Sequence, residues 1–453
     1  MSGLMTSLSM AARALDAQRA GLAVAGENIA NLNTDGYVRR TIELAQGGPG
    51  QGGVEVLGTR ARRDAMLEAR VRQEAPAEAR EGAIADGLAV VEASLGAPGA
   101  SLDAQLTAFF DGFSDLAHDP TSTVLRDSVV LQGRLLGRAF SDLSSRLSDA
   151  QRAADAEVRG GIDRINALAS QAAGLNATIA GANGADTEGV KDQLGLVLKE
   201  LAELAGVSVV PRADGGADVS LGQGRAIVMG ATAYPLTATS VAPSGFASVT
   251  LGGTAITAEI AKGRLSGWLD VRDKNIPGYR DRLDTIAFTV VQQVNTLHLA
   301  GTDILGGTGH NFFAPLAVAA GAAAAMAVDA GVASDSRLVS ASQTGATGDN
   351  EVAKTIAGLR DARVVNANAT LAESWGQLVY EVGSDAQTAQ AQQRSRREIV
   401  DQVAKLRDQV SGVSLDEEAA MMMRFQRAYE ANARYFSAVD QMLATLMRTV
   451  GTA

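Results

Sequence analysis

The chain contains no cysteine. Disulfides, thiolate metal sites and a cysteine nucleophile are thereby excluded. Aromatic residues are only 4% of the 453 residues, so cores must come mainly from Leu, Val, Ile and Ala. Proline is scarce, at 9 residues, which permits long helices. No apolar run reaches the roughly 20 residues of a membrane-spanning helix. The longest apolar patch, residues 314–330, is Ala-rich and broken by Gly321 and Asp329. Basic residues are outnumbered, 40 against 51 acidic, and the net charge of -11 argues against a nucleic-acid partner.

Chemistry-bearing patterns are thin as well. His118, His298 and His310 lie far apart with no ligand spacing, and are expected to face solvent or cap helices. The glycine-rich stretch 301–309 lacks the Lys-Ser/Thr that a phosphate loop requires. There is no G-x-S-x-G elbow. Asp416, Glu417 and Glu418 fall in the first turn of an expected helix, where carboxylates favour the positive end of the dipole. No catalytic residue, metal or cofactor is expected.

What the chain does have is a matching pattern at its two ends. Leu4, Leu8, Ala11, Leu15, Gln18, Leu22, Ala25, Ile29 and Leu32 follow at alternating steps of four and three. Met422, Phe425, Tyr429, Asn432, Phe436, Val439, Leu443, Leu446 and Val450 do the same. This alternation is the seam of a coiled coil, and such a seam needs a partner face. Two of them at opposite ends suggest that the ends meet each other, and that they also meet neighbouring molecules. Gln18 and Asn432 interrupt the seams and are expected at similar heights in an antiparallel pair, where a buried polar residue fixes register.

A composition of 46% hydrophobic and 20% charged residues is globular, and the length suits about two to four domains. The first helix ends at Asn31, Asn33 and Gly36, residues suited to a helix stop and turn. Residues 37–44 and 53–58 have strand character, which makes Tyr37 and Arg39 partly exposed strand residues able to contact a neighbour. Helical patterns cover about 62–118, broken near residues 96–99, then about 122–182 and 187–205. Gly160 and Gly174 weaken the longest of these and allow a break. Residues 206–262 alternate in Val, Thr and Gly and read as β-rich. Helix resumes over about 264–300, where Pro277 is a kink or a restart. Residues 301–350 read as mostly irregular. A 370–410 helix follows, then a break at 411–414 and a last helix opened by a Ser414/Glu417 capping box. The Met421–Met423 run is expected in core and seam. The expected fold is mainly α with a smaller β-domain: terminal coiled-coil helices, a long helical bundle and a β-rich insertion. Its expected divisions are 1–60 with 412–453, 61–205 with 264–411, and 206–263.

The segment Asn28 to Arg40, NIANLNTDGYVRR, resembles the N-terminal signature of the bacterial flagellar axial proteins, a family of rod, hook and hook-associated proteins. Gln426 to Ala433, QRAYEANA, resembles that family's C-terminal signature. Ser411 to Glu418 and Tyr37 to Arg40 resemble the hook-associated members more than the hook. The resemblance implies a non-enzymatic subunit of the flagellum that forms a ring-like homo-oligomeric layer between hook and filament. Implied partners are further copies of itself, the hook protein, the next hook–filament junction protein and an export chaperone. The implied location is extracellular. The N-terminus lacks the basic region and contiguous apolar stretch of a secretory signal, in keeping with export without a cleaved signal peptide. Larger members carry a further β-domain, for which the stretch 314–350 is too short. The runner-up readings are another axial subunit, rod or hook, and a cell-wall hydrolase, the latter unsupported by any paired carboxylate or nucleophile.

Overall fold

Helices dominate the computed structural model, which describes residues 2–34, 36–48, 52–95, 102–182 and 186–450. Helix α1 (Ser2–Ala30) leads into an antiparallel hairpin of β1 (Arg40–Gln46) and β2 (Val54–Ala61), with a bulge between Glu43 and Leu44. Helices α2 (Ala65–Leu95), α3 (Leu102–His118), α4 (Thr123–Gly181) and α5 (Glu188–Ala205) follow. The expected break at 96–99 lies outside the described residues.

The β-rich region holds two antiparallel sheets, each in chain order. One contains β3 (Ser208–Pro211), β4 (Ala217–Leu221), β5 (Arg225–Met229) and β6 (Thr232–Ala233); the other contains β7 (Leu236–Val241), β8 (Phe246–Leu251) and β9 (Thr254–Ala255). The chain then returns to helix: α6 (Gly263–Asp270), α7 (Ile276–Ala300), the short α8 (Ala322–Ala325), α9 (Ala330–Ser334) and α10 (Glu351–Gly358), then α11 (Leu371–Ser411) and α12 (Leu415–Val450). The architecture is mainly α with a smaller β part, as the sequence implies.

Helix α4 is the spine. Its 59 residues span roughly 90 Å at 1.5 Å per residue. Ser122 caps it by accepting from the Leu125 backbone N–H at 3.3 Å. The helix runs unbroken through Gly160 and Gly174, where a Cβ would meet nothing within 4 Å. Packing along its length outweighs the propensity cost of two glycines, about 1 kcal/mol each. Gly161 has a separate role: a Cβ there would sit 2.7 Å from the Trp268 ring, so α6 approaches closely only because the side chain is absent.

Helix α11 packs along α2 and starts with a capping box in which Thr370 and Glu373 satisfy each other's backbone N–H. Between α6 and α7 the chain makes one π-helical turn, Val271–Asn275, and Pro277 lies in the first turn of α7. The backbone stays helical through this turn, so Pro277 follows a π-turn inside a continuous helical path and does not restart the helix.

Residues 301–350 are mostly irregular, and their middle is packed into the body. Phe312 and Phe313 are fully buried against Phe109 and Phe113, with ring centroids 5.4 Å (Phe109–Phe313) and 5.5 Å (Phe113–Phe312) apart. With Phe110 they make a cluster of five of the chain's 10 phenylalanines, plugging the bundle. His298 belongs to this plug and corrects the expectation of a solvent-facing or capping histidine. It is completely buried, its Nδ1 bonds the His310 carbonyl at 2.7 Å and its Nε2 accepts from the Ser340 backbone N–H at 2.9 Å.

Two hydrophobic cores result. One joins α2, α3, the first part of α4, α7, the 312–341 segment, α10 and α11. The other joins the second part of α4 with α5, the β-strands and α6. Among the described residues, neither core takes a side chain from α1, β1, β2 or α12.

Candidate assembly site at the joined termini

The two chain ends meet. Helices α1 and α12 pack side by side, and the pairs Gly21–Phe425 and Asn28–Glu418 show that they run antiparallel. At Gly21 a Cβ would lie 2.6 Å from Phe425 Cε1, so the ring seats directly on the α1 backbone. Hairpin β1–β2 packs against α1 as well.

At the lower end of the pair the sequence motif builds a polar knot around Asn28, which is 1% exposed. Its amide nitrogen donates to the Arg40 carbonyl at 2.9 Å and to Glu418 Oε2 at 3.0 Å. Its amide oxygen accepts from the Tyr37 hydroxyl at 2.8 Å and the Arg40 backbone N–H at 3.0 Å. All four hydrogen-bonding positions of the side chain are therefore used. Burial, reinforced by the Glu27 carboxylate, pushes the Tyr37 hydroxyl up to about 12, so it stays a donor. The Arg40 guanidinium lies 5.0 Å over the Tyr37 ring.

Arg39 ties the second end in. Its guanidinium pairs with Glu417 at 2.6 Å and with the buried Glu418 at 2.7 Å, and its backbone N–H donates to the Ser411 carbonyl at 3.0 Å. Two of the three carboxylates expected to serve the α12 dipole, Glu417 and Glu418, thus share a guanidinium partner. Asn31 caps the end of α1, donating to the Glu27 carbonyl at 2.9 Å and accepting from Thr34 at 3.1 Å. Asn33 is exposed. Gly36 has a φ of +75°, and a Cβ there would lie 2.5 Å from Leu196 Cγ, so both conformation and space demand glycine. Asp35 of the motif lies outside the described residues.

The seam residues divide. Leu4, Leu8, Leu15, Gln18, Leu22 and Ile29 are half-buried and Leu32 is exposed, whereas the seam positions Ala11 and Ala25 are fully buried, together with the off-seam Ala17, Gly21, Val24 and Asn28. Small residues make the close contact because they let the backbones approach, and the leucines flank it. On α12, Val439 is buried, Phe425, Asn432, Phe436, Leu443 and Leu446 are half-buried, and Met422 and Tyr429 are exposed. Met421 is half-buried and Met423 exposed. The observed pairing puts Gln18 opposite Ala428, so Asn432 lies one turn further on, about 6 Å away along the axis.

Sequence reasoning assigned no role to Asn28. The available signal was a polar residue on the helix face beside the seam, inside the quoted motif. Among the described residues, no group of three or more His, Asp or Glu could hold a metal ion, and no helix is long and apolar enough to cross a membrane.

Comparison with known proteins matches this layout. The profile of the flagellar hook-associated protein FlgK helical domain fits residues 88–313. That of the flagella basal body rod protein fits residues 8–37, and that of the flagellar basal body rod FlgEFG protein C-terminal region fits residues 408–449. Flagellar hook-associated protein 1 of Bacillus subtilis is 27% identical, over 100% of this chain and 99% of that protein. The chain is similar to flagellar hook-associated protein 1 from end to end. The Escherichia coli hook-associated protein 1 is 23% identical over 96% of this chain and 97% of its own length. The structure of the flagellar hook junction protein FlgK from Burkholderia pseudomallei superposes with a TM-score of 0.68 at 14% identity, covering 76% of this chain and 100% of that one. That match speaks to the fold. The two terminal profiles fall on α1 with its turn and on α12, the elements that meet in the polar knot.

Proposed function

We propose that the chain is a structural subunit of the bacterial flagellum, forming the junction layer between hook and filament by self-assembly through its terminal helices. The observation that carries this reading is the uncovered apolar surface of the joined ends. Met5, Met10, Met422, Met423, Tyr429, Tyr435, Met442 and Met447 are exposed on α1 and α12, beside the half-covered leucine stripe. A helix pair cannot bury both sides of two amphipathic helices, and further copies supply the missing layer. Burial of a large apolar side chain contributes roughly 1.5–3 kcal/mol, enough over a handful of residues to drive polymerisation.

On this reading, 1–60 with 412–453 act as the assembly unit, 61–205 with 264–411 as the helical body, and 206–263 as a β-rich appendage. The seam residues and the Asn31-to-Arg39 motif hold the assembly unit together, and the role is non-catalytic. The partners are other copies, the hook protein, the next junction protein and, before assembly, an export chaperone. The site of action is outside the cell, on the flagellum.

Gene deletion followed by electron microscopy of the cell surface and a blot for flagellin in the medium tests this. Hooks without filaments, with flagellin lost to the medium, are expected. Absence of hooks would make the chain a rod or hook subunit, and normal filaments would overturn the flagellar reading.

A further inference from the structure

The unit formed by α1, β1, β2 and α12 joins the helical body without a shared hydrophobic core, as shown above for the described residues. The chain crosses between the two at residues 62–64 and again at 412–414. Gly36 seats on the Leu196 side chain and the Arg39 N–H bonds the Ser411 carbonyl at 3.0 Å; the charged contacts converge on one end of α5. Asp192 is at the centre, its side chain 10% exposed. Its Oδ2 receives Arg40 Nη2 at 3.2 Å, and its Oδ1 receives Arg63. Arg63 also reaches Glu188 Oε2 at 3.1 Å and the Glu188 carbonyl at 3.2 Å, and Thr59 bonds Asp186. Arg40 opens β1 and Arg63 follows the end of β2, so one carboxylate grips both strands at the open end of the hairpin.

The joint of the β-strands to the body is built differently. There Asp155 and Arg272 pair at 2.6 Å with side chains 10% and 4% exposed, and the strands share a hydrophobic core with α4, α5 and α6. That joint is rigid. A joint without a core, held by partly solvated charge pairs, leaves relative motion as the default once the pairs are released.

We propose that Asp192 is a latch. By holding Arg40 and Arg63 together it fixes the angle of the terminal unit on the helical body, and its release lets that unit swing as a rigid piece with α1 and α12 still joined. The latch belongs to the single chain and stands apart from the assembly reading.

The absence of native cysteine makes the test direct. Ser437 on α12 and Ser145 on α4 are both exposed. The full-length chain carrying Ser437→Cys and Ser145→Cys takes two spin labels, and the distance between them is measured by pulsed electron paramagnetic resonance in dilute solution. At about 0.1 M salt a single narrow distance is expected. Asp192→Asn is expected to replace it with a broad distribution, with helix content by circular dichroism unchanged, and Asp192→Glu to restore part of the narrow peak. The unsubstituted latch is expected to broaden on its own as salt rises to about 1 M, where the screening length falls from about 10 Å to about 3 Å. This salt arm stands even where a variant folds poorly. A peak that stays narrow both in Asp192→Asn and at high salt would overturn the latch, as would a broad distribution in the unsubstituted chain at low salt.

Discussion

Asn28 donates a 3.0 Å hydrogen bond to Glu418 across 390 positions of the chain, inside a site where both side chains are almost fully buried. Removing Asn28 strips a partner from Glu418, Tyr37 and two backbone groups of Arg40 at once. A buried polar group left unsatisfied costs about 1–3 kcal/mol. Asn28→Ala is therefore expected to destabilise the terminal unit by at least that amount and leave the body intact. Hydrogen exchange checks it: amides of α1 and α12 should exchange faster together, and those of α4 should not change. Unaltered protection in α1 and α12 would mean that the knot contributes little.

Two glycines on α1 make a contrasting pair. A Cβ at Gly26 meets nothing within 4 Å, whereas one at Gly21 lies 2.6–2.7 Å from three atoms of the Phe425 ring. Gly26→Ala is expected to stabilise the helix by about 0.5–1 kcal/mol through lost backbone freedom in the unfolded chain. Gly21→Ala carries the same propensity gain but overpacks the contact, which costs about 1–3 kcal/mol. A double-mutant cycle of Gly21→Ala with Phe425→Leu, read by thermal unfolding, should show that the smaller side chain relieves the overpacking. Additive effects would place the ring elsewhere.

The layout was legible from the sequence because periodicity reports it: the long α4, the β-rich middle and the helices at both ends follow from apolar spacing. The terminal pairing was legible for the same reason. The face was not. The 4-3 pattern marks Ala11 and Ala25, which are buried, but also Leu4, Leu8, Leu15 and Leu22, which are only half-buried, while a close contact between backbones also selects Ala17 and Gly21, which hydropathy undervalues. Asn28 was illegible in its role because its four partners come from the β1 entry and from α12, and no local pattern encodes them. The plug at 301–350 was missed because its order comes from Phe312 and Phe313 packing on distant α3, with His298 of α7 against the Phe312 ring, and single buried residues in an irregular segment have no period.

Asn432 tests how register is set. It is half-buried on α12, one turn beyond the level of Gln18. Asn432→Leu adds apolar surface to the pair and is expected to raise its unfolding temperature, while removing a polar marker that disfavours slipped pairings. The expected phenotype is a more stable chain that assembles less regularly. Junctions built from Asn432→Leu that function as the unsubstituted ones do would show that register is set elsewhere, with the Asn28 knot the first place to look.

His298 makes the body sensitive to mild acid. Burial in the aromatic plug, with the neighbouring His310 and Arg126 adding to it, pulls the imidazole down from 6.5 to about 4. Its Nε2 must stay unprotonated to accept from the Ser340 backbone N–H. Between those two values the unfolded chain binds a proton that the folded chain does not, so stability falls as pH falls. The contribution is complete above pH 6.5, declines from there to about pH 4, and amounts to about 3 kcal/mol at one proton and 1.36 kcal/mol per unit. His298→Gln keeps a donor and an acceptor without titrating. Urea unfolding at pH 7.5 and pH 5 should show a steeper loss for the unsubstituted chain than for the variant, and equal losses would assign the acid sensitivity to other groups. The window separates this effect from carboxylates such as Asp349, which five donors around the 342–351 turn hold well below the usual range and which therefore titrates only at lower pH.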